Sequence, residues 1–196
     1  MSDLLIRNLN RFVTLTSEEN DTVLSLFRPR NFRRHQFIQQ EGEVARYETF
    51  LLSGLTRTYE IDEKGAEHIV LFGTEDWWVG DLYSFLTGLP STYAIDCLED
   101  TQTMQVSKDD LEELYVRVPK LERHFRIMIQ KAYITSTRRI TSSLRKSAAE
   151  RYMDFIRTYP SLEQRIPNHQ IASFLGITPQ SLSRIRAKGN TRKTGK

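Results

Sequence analysis

The apolar positions change period once along the chain. Up to Val106 they fall in short runs rich in β-branched and aromatic residues, over 32–39, 48–53, 55–61, 67–72, 93–98 and 101–106. Turn signals separate these runs: Glu-Gly-Glu at 41–43, Ser-Gly at 53–54, Asp-Glu-Lys-Gly at 62–65 and Glu-Asp at 99–100. Short strands at regular spacing between such turns predict a β-sandwich or β-roll. Ahead of them, Val23, Leu24 and Phe27 recur at helical spacing behind a Thr-Ser-Glu-Glu opening. With Ser17 three residues before Asn20 as the capping pair, this predicts a helix over 17–26 that ends before Pro29.

Helical spacing governs the rest of the chain. Ser107 precedes a first turn rich in acids, the arrangement a helix macrodipole favours. After Pro119 about 40 residues pass without proline or glycine. In that stretch Leu121, Phe125, Met128 and Ala132 step by four, three and four, and Ile129, Tyr133, Ile140 and Leu144 mark a neighbouring face. A helix this long exceeds what one small roll can cover, so it is expected to pack on the roll and on a copy of itself. Leu121, Phe125, Met128 and Ala132 are assigned to the contact between copies.

Near the end, "QIASFLGITPQSLSRIRAK" sets two amphipathic segments either side of Gly176. Ile171, Phe174 and Leu175 form one apolar face, and Gly176 supplies a left-handed residue that ends the first helix. Thr178 is placed to cap the second, with Pro179 at its first position and Leu182 and Ile185 turned inward. Gln180, Ser181, Arg184 and Lys188 are then left on the outer face. These side-chain types suit a major groove: arginine meets guanine O6 and N7, glutamine meets adenine N7 and N6, and serine adapts to base or phosphate.

Charge strengthens that reading. The net charge of +3 is the sum of two unlike halves. Residues 1–116 carry ten Lys and Arg against 21 Asp and Glu, whereas residues 117–196 carry 18 against four. Only the second half is suited to approach a polyanion such as double-stranded DNA. Past Lys188 the tail "GNTRKTGK" is too short and polar for a β-hairpin; it is expected to be irregular, with Arg192, Lys193 and Lys196 able to touch phosphates.

With these segments in place, the whole chain resembles the Crp/Fnr family of bacterial transcription regulators. The resemblance rests on the glycine-punctuated strands, on "VGDLYSFLTGLPSTYAIDCLEDT" where the family's phosphate-binding cassette falls, and on "QIASFLGITPQSLSRIR". It implies an α+β chain of three parts. Residues 1–116 would form a cyclic-nucleotide-binding-like β-roll (a double-stranded β-helix), 117–145 a long dimerisation helix, and 146–196 a helix-turn-helix of the winged-helix type with the wing reduced or absent. It also implies a cytoplasmic homodimer that binds DNA and works with RNA polymerase. By the same resemblance Thr178, Gln180, Ser181, Arg184 and Lys188 serve DNA, and Gly80, Asp81, Ser91 and Thr92 occupy the effector site. Two departures matter. Pro179 stands where relatives often have arginine, and Ser91 and Thr92 replace the Arg-Ser pair that holds a cyclic phosphate. A buried phosphate without a cationic partner would carry its desolvation cost uncompensated, so cyclic AMP is not the expected effector, and no cofactor is assigned.

Other classes find little support. With Cys97 alone, an internal disulfide and a cysteine-held cluster are excluded within one chain. His35, His68, His124 and His169 lack metal-ligand spacing. No apolar run suits a membrane span, and the N-terminus does not read as a signal peptide. Asp81, Ser91 and Cys97 lack the nucleophile turn and partner histidine of a hydrolase, so no enzyme is expected. Trp77, Trp78 and Tyr83 read as core aromatics rather than as a ligand box. The competing reading is a cyclic-nucleotide-type module that regulates a protein partner through its helical tail.

Overall fold

The computed structural model describes residues 2–191. Its β-roll consists of two four-stranded antiparallel sheets. In the first, β1 (Arg28–Phe32), β8 (Thr101–Ser107), β3 (Tyr47–Ser53) and β6 (Trp78–Val79) lie in that order; in the second, β2 (Phe37–Gln39), β7 (Ala94–Cys97), β4 (Thr56–Ile61) and β5 (Glu67–Gly73) do. Of the expected run over 32–39 only β2 is a strand of its own: the turn at 33–36, which holds His35 in the left-handed region, separates it from Phe32, the last residue of β1. Two further strands, β1 and β6, are not among the runs that apolar patterning predicts. β1 is an edge strand, the position in a sheet where a proline such as Pro29 is tolerated.

Helices flank the roll. α1 (Asp3–Leu9) and α2 (Ser17–Leu26) precede it, α3 (Leu82–Thr87) interrupts it, and α4 (Lys108–Arg117) follows. The cap of α2 is Thr16 rather than Ser17: its hydroxyl accepts from the Glu19 N–H while the Glu19 carboxylate accepts from the Thr16 N–H. Ser107 caps α4 as its sequence suggests, with the Asp110 N–H donating to it at 3.1 Å. The long helix is α5 (Lys120–Arg145), followed by α6 (Ala148–Thr158), α7 (Asn168–Phe174) and α8 (Pro179–Thr191). A capping box between Ser147 and Glu150 restarts the chain as α6.

Two apolar cores result. The first joins Phe50, Met104 and Val106 of the first sheet to Leu5 and Leu9 of α1, Val23 of α2, Leu111 and Leu114 of α4, and Leu121 and Phe125 of α5. The second joins Leu55, Tyr59, Ile69 and Phe72 of the roll to Tyr152, Phe155, Ile171, Ala172, Leu175 and Leu182 of α6–α8. The roll and the C-terminal helices thus share one core across the boundary expected near residue 146. Among the described residues no helix is long and apolar enough to cross a membrane.

Candidate nucleic-acid interface

The second helix of the C-terminal pair is assembled by local chemistry. Gly176 adopts φ +64°, the left-handed residue that ends α7, and the Ile177 N–H returns to the Ala172 carbonyl at 3.0 Å. The Thr178 hydroxyl then accepts from the Ser181 N–H at 3.2 Å and opens α8, with Pro179 first in the helix. Leu182 is buried and Ile185 half-buried against α6 and α7. Gln180, Arg184 and Lys188 are exposed, and Ser181 is half-buried, its hydroxyl accepting from Thr178 and, at 3.4 Å, from Arg184. The helix therefore presents Gln180 and Arg184 outward from a rigidly capped first turn. α8 continues through Thr191, three residues into the tail expected to be irregular; Arg192, Lys193 and Lys196 lie outside the described residues.

A residue that periodicity did not mark fixes this helix from behind. Arg186 donates to the Tyr152 hydroxyl at 3.0 Å and to Asn168 Oδ1, and its Nη2 lies 3.2 Å from Glu163. It thereby ties α8 to α6, to α7 and to the turn between them. Arg184 and Arg186 sit two positions apart in sequence and have opposite situations, one facing outward and one engaged inside.

The long helix corrects the expected dimer seam. Leu121 is fully buried and Phe125 is 5% exposed, both within the chain's own first core, and Met128 packs against the same core. These three are consumed by the roll because α4 delivers the start of α5 onto Trp78 and Tyr115, whose rings meet Phe125 edge-on. Ala132 is exposed but lies at the end of that face. The apolar surface left uncovered is the neighbouring face: Ile129 at 41%, Tyr133 at 72%, Ile140 at 63% and Leu144 at 82% exposure.

Of the residues assigned to the effector site, Asp81 and Ser91 bond directly to each other. Asp81 caps α3 by accepting from the Ser84 N–H at 3.2 Å, and its second oxygen accepts from the Ser91 hydroxyl at 2.7 Å. Asp81 and Ser91 are buried, while Gly80 and Thr92 lie at the surface. Both carboxylate oxygens are therefore engaged inside the cassette, and the chain from Gly80 to Asp100 contains no lysine or arginine. The cassette itself therefore supplies no cation for a cyclic phosphate. A cavity of about 360 Å³ nonetheless opens beside Gly80 and Asp81, lined by Ile38, Val44, Ile95, Thr49, Gln105 and, on an exposed loop, Arg46. Behind Gly80, enclosure of the carboxyl and the nearby Asp81 carboxylate push Glu48 up to about 8. Trp78 is a core aromatic as expected, whereas Tyr83 is 62% exposed.

Residues 29–117 match the model of the cyclic nucleotide-binding domain family. Among curated relatives, the transcriptional activator protein anr of Pseudomonas aeruginosa is 23% identical over 188 residues, covering 88% of this chain and 75% of the relative. The fumarate and nitrate reduction regulatory protein of Vibrio cholerae is 24% identical, with 88% of this chain and 73% of the relative covered. The solved structure of FixK2 from Bradyrhizobium japonicum superposes with a TM-score of 0.75 at 20% identity, covering 85% of this chain and 86% of that one. Over 85–88% of its length this chain is similar to these two regulators and to FixK2, and its residues 29–117 belong to the cyclic nucleotide-binding domain family.

Proposed function

We propose that this chain is a sequence-specific DNA-binding transcription regulator that works as a homodimer in the cytoplasm, binds rather than catalyses, and acts with RNA polymerase. The observation that carries the reading is α8, a capped helix that turns Gln180 and Arg184 to solvent while Leu182 is buried beneath it. Arg184 suits the paired acceptors of guanine and Gln180 those of adenine, with Ser181 and Thr178 beside them and Lys188 placed for phosphate. The names of the curated relatives, all regulators, support the same reading. A dimer through Ile129, Tyr133, Ile140 and Leu144 would present two copies of α8 to half-sites about 34 Å apart.

Recovery of bound duplexes from a random pool tests this. The expected product is an inverted repeat whose half-sites lie about one helical turn apart. A pool that stays random after repeated rounds would overturn the proposal. The roll is a scaffold or a sensor of something other than cyclic AMP, since Asp81 and Ser91 are bonded to each other. Calorimetry with cyclic AMP should give no binding heat, and tight binding would contradict this part of the reading.

A further inference from the structure

The turn that leads into α7 carries a side chain with no role in the DNA interface. Arg165 lies between α6 and α7 and reaches across to the roll. Its Nε donates to Glu99 at 2.9 Å and its Nη1 to Glu75 at 3.0 Å. Its Nη2 donates to Glu75 at 2.9 Å, to Glu99 at 2.7 Å and to the Gly54 carbonyl at 3.1 Å. Two carboxylates are thus each held by two nitrogens of one guanidinium, the fork geometry that lysine cannot reproduce. The three partners come from the β3–β4, β5–β6 and β7–β8 connections, which meet at one end of the roll. Gly54 cannot be replaced there: at φ +102° a Cβ would lie 2.4 Å from Thr101 Oγ1.

A second contact, from the other end of α7, fixes the angle of the unit. β5 is an edge strand, and the Ser173 hydroxyl accepts from the Ile69 N–H at 3.0 Å and donates to the Glu67 carbonyl at 3.0 Å. Arg139 of α5 donates to the Val70 carbonyl on the same strand, with its guanidinium 5.0 Å from the centre of the Phe174 ring. Between the two contacts Trp77 of the roll meets Tyr159 at the end of α6, with ring centres 5.7 Å apart.

We propose that Arg165 is a positioning residue that locks the helix-turn-helix onto the roll of its own chain and so sets where α8 stands relative to the dimer axis. It touches no DNA; it acts through the orientation of α7 and α8. The inference rests on the DNA-reading proposal for its consequence, but the docking itself is measurable without DNA. The clamp also sits close to the cassette, because Glu75 is joined through β6 to Gly80 and Asp81 within six residues.

The experiment compares the full-length chain with Arg165→Ala, Arg165→Lys, and the charge-reversed pair Arg165→Glu with Glu75→Arg, all in a Trp78→Phe background that leaves Trp77 as the reporter. Arg165→Ala should shift Trp77 emission to the red and speed exchange of the Ile69 amide below the main melting transition. On duplexes recovered by selection it should lower affinity for the paired site by ~10-fold while leaving a single half-site within ~2-fold, because only paired binding depends on fixed geometry. Discrimination against half-sites two base pairs further apart should narrow with it. Lysine should recover this in part. The reversed pair should recover most of it, because its introduced arginine faces both the introduced carboxylate and Glu99. Unchanged Trp77 emission and Ile69 exchange in Arg165→Ala would overturn the proposal, as would equal losses on paired and single half-sites. If wild type selects no duplex, the DNA-reading proposal fails, while the Trp77 and Ile69 signals still decide whether Arg165 docks the unit.

Discussion

Glu48 shows how far a single residue can depart from its ordinary chemistry without marking the sequence. Half-buried behind Gly80 with its Oε1 enclosed and unpartnered, it holds its proton up to about 8, whereas in the unfolded chain it ionises near its ordinary value. Between those values the unfolded chain binds fewer protons, so stability from this group is lost as pH rises from about 4.5 toward 8. Glu48→Gln should flatten that loss and raise stability at pH 7.5 by ~1–3 kcal/mol, read by urea denaturation across pH. An unchanged pH profile would mean that Glu48 is solvated. Arg186 gives a second prediction at this scale: Arg186→Ala leaves Glu163 and the Tyr152 hydroxyl short of a donor and should cost the C-terminal unit ~1–3 kcal/mol, seen in its melting. The chemistry of α8 was legible because Thr178, Pro179 and Gly176 act on their immediate neighbours. The Asp81–Ser91 bond was not, since it joins residues ten apart through a fold, and neither was the Arg165 clamp, whose partners lie 66 to 111 residues away.

At the scale of elements, α5 separates what periodicity can tell from what it cannot. Helical spacing identified two apolar faces, but which of them the roll would take depends on how α4 aims the chain after Pro119. That aim sends Leu121 and Phe125 inward and leaves Tyr133 and Leu144 out. Two substitutions therefore have opposite signatures. Phe125→Asp should destabilise the chain by ~3–5 kcal/mol in thermal or urea melts, as for any charge forced into a core. Tyr133→Asp should leave the fold intact and weaken the dimer by ~10-fold or more in sedimentation, as expected for an aromatic anchor of an interface. A Tyr133→Asp chain that dimerises as tightly as wild type would remove this face from the seam. Strands divide in the same way: six runs stand out by composition, while β1, an arginine-rich edge, and β6, two residues long, have too little apolar signal of their own.

For the whole molecule, the division of charge and the second core belong together. The basic half is not a separate appendage: its α6–α8 unit shares apolar contacts with Leu55, Tyr59, Ile69 and Phe72 and is clamped to the acidic roll through Arg165. The charge asymmetry was visible in the sequence, but that its two sides meet was not, because a boundary inferred from composition implies nothing about docking. In the proposed dimer, each basic unit should bind DNA through two separable components, a base-reading part at α8 and a phosphate part that varies with salt. The direct test is a salt titration of wild type and Arg184→Ala on a selected duplex and on a random one of equal length. Wild type should prefer the selected duplex by ~10³-fold or more, and Arg184→Ala should lose ~1–3 kcal/mol of binding there and little on random DNA, with the salt slope nearly unchanged. Equal weakening on both duplexes, with a shallower salt slope, would place Arg184 on the backbone and contradict α8 as the reader.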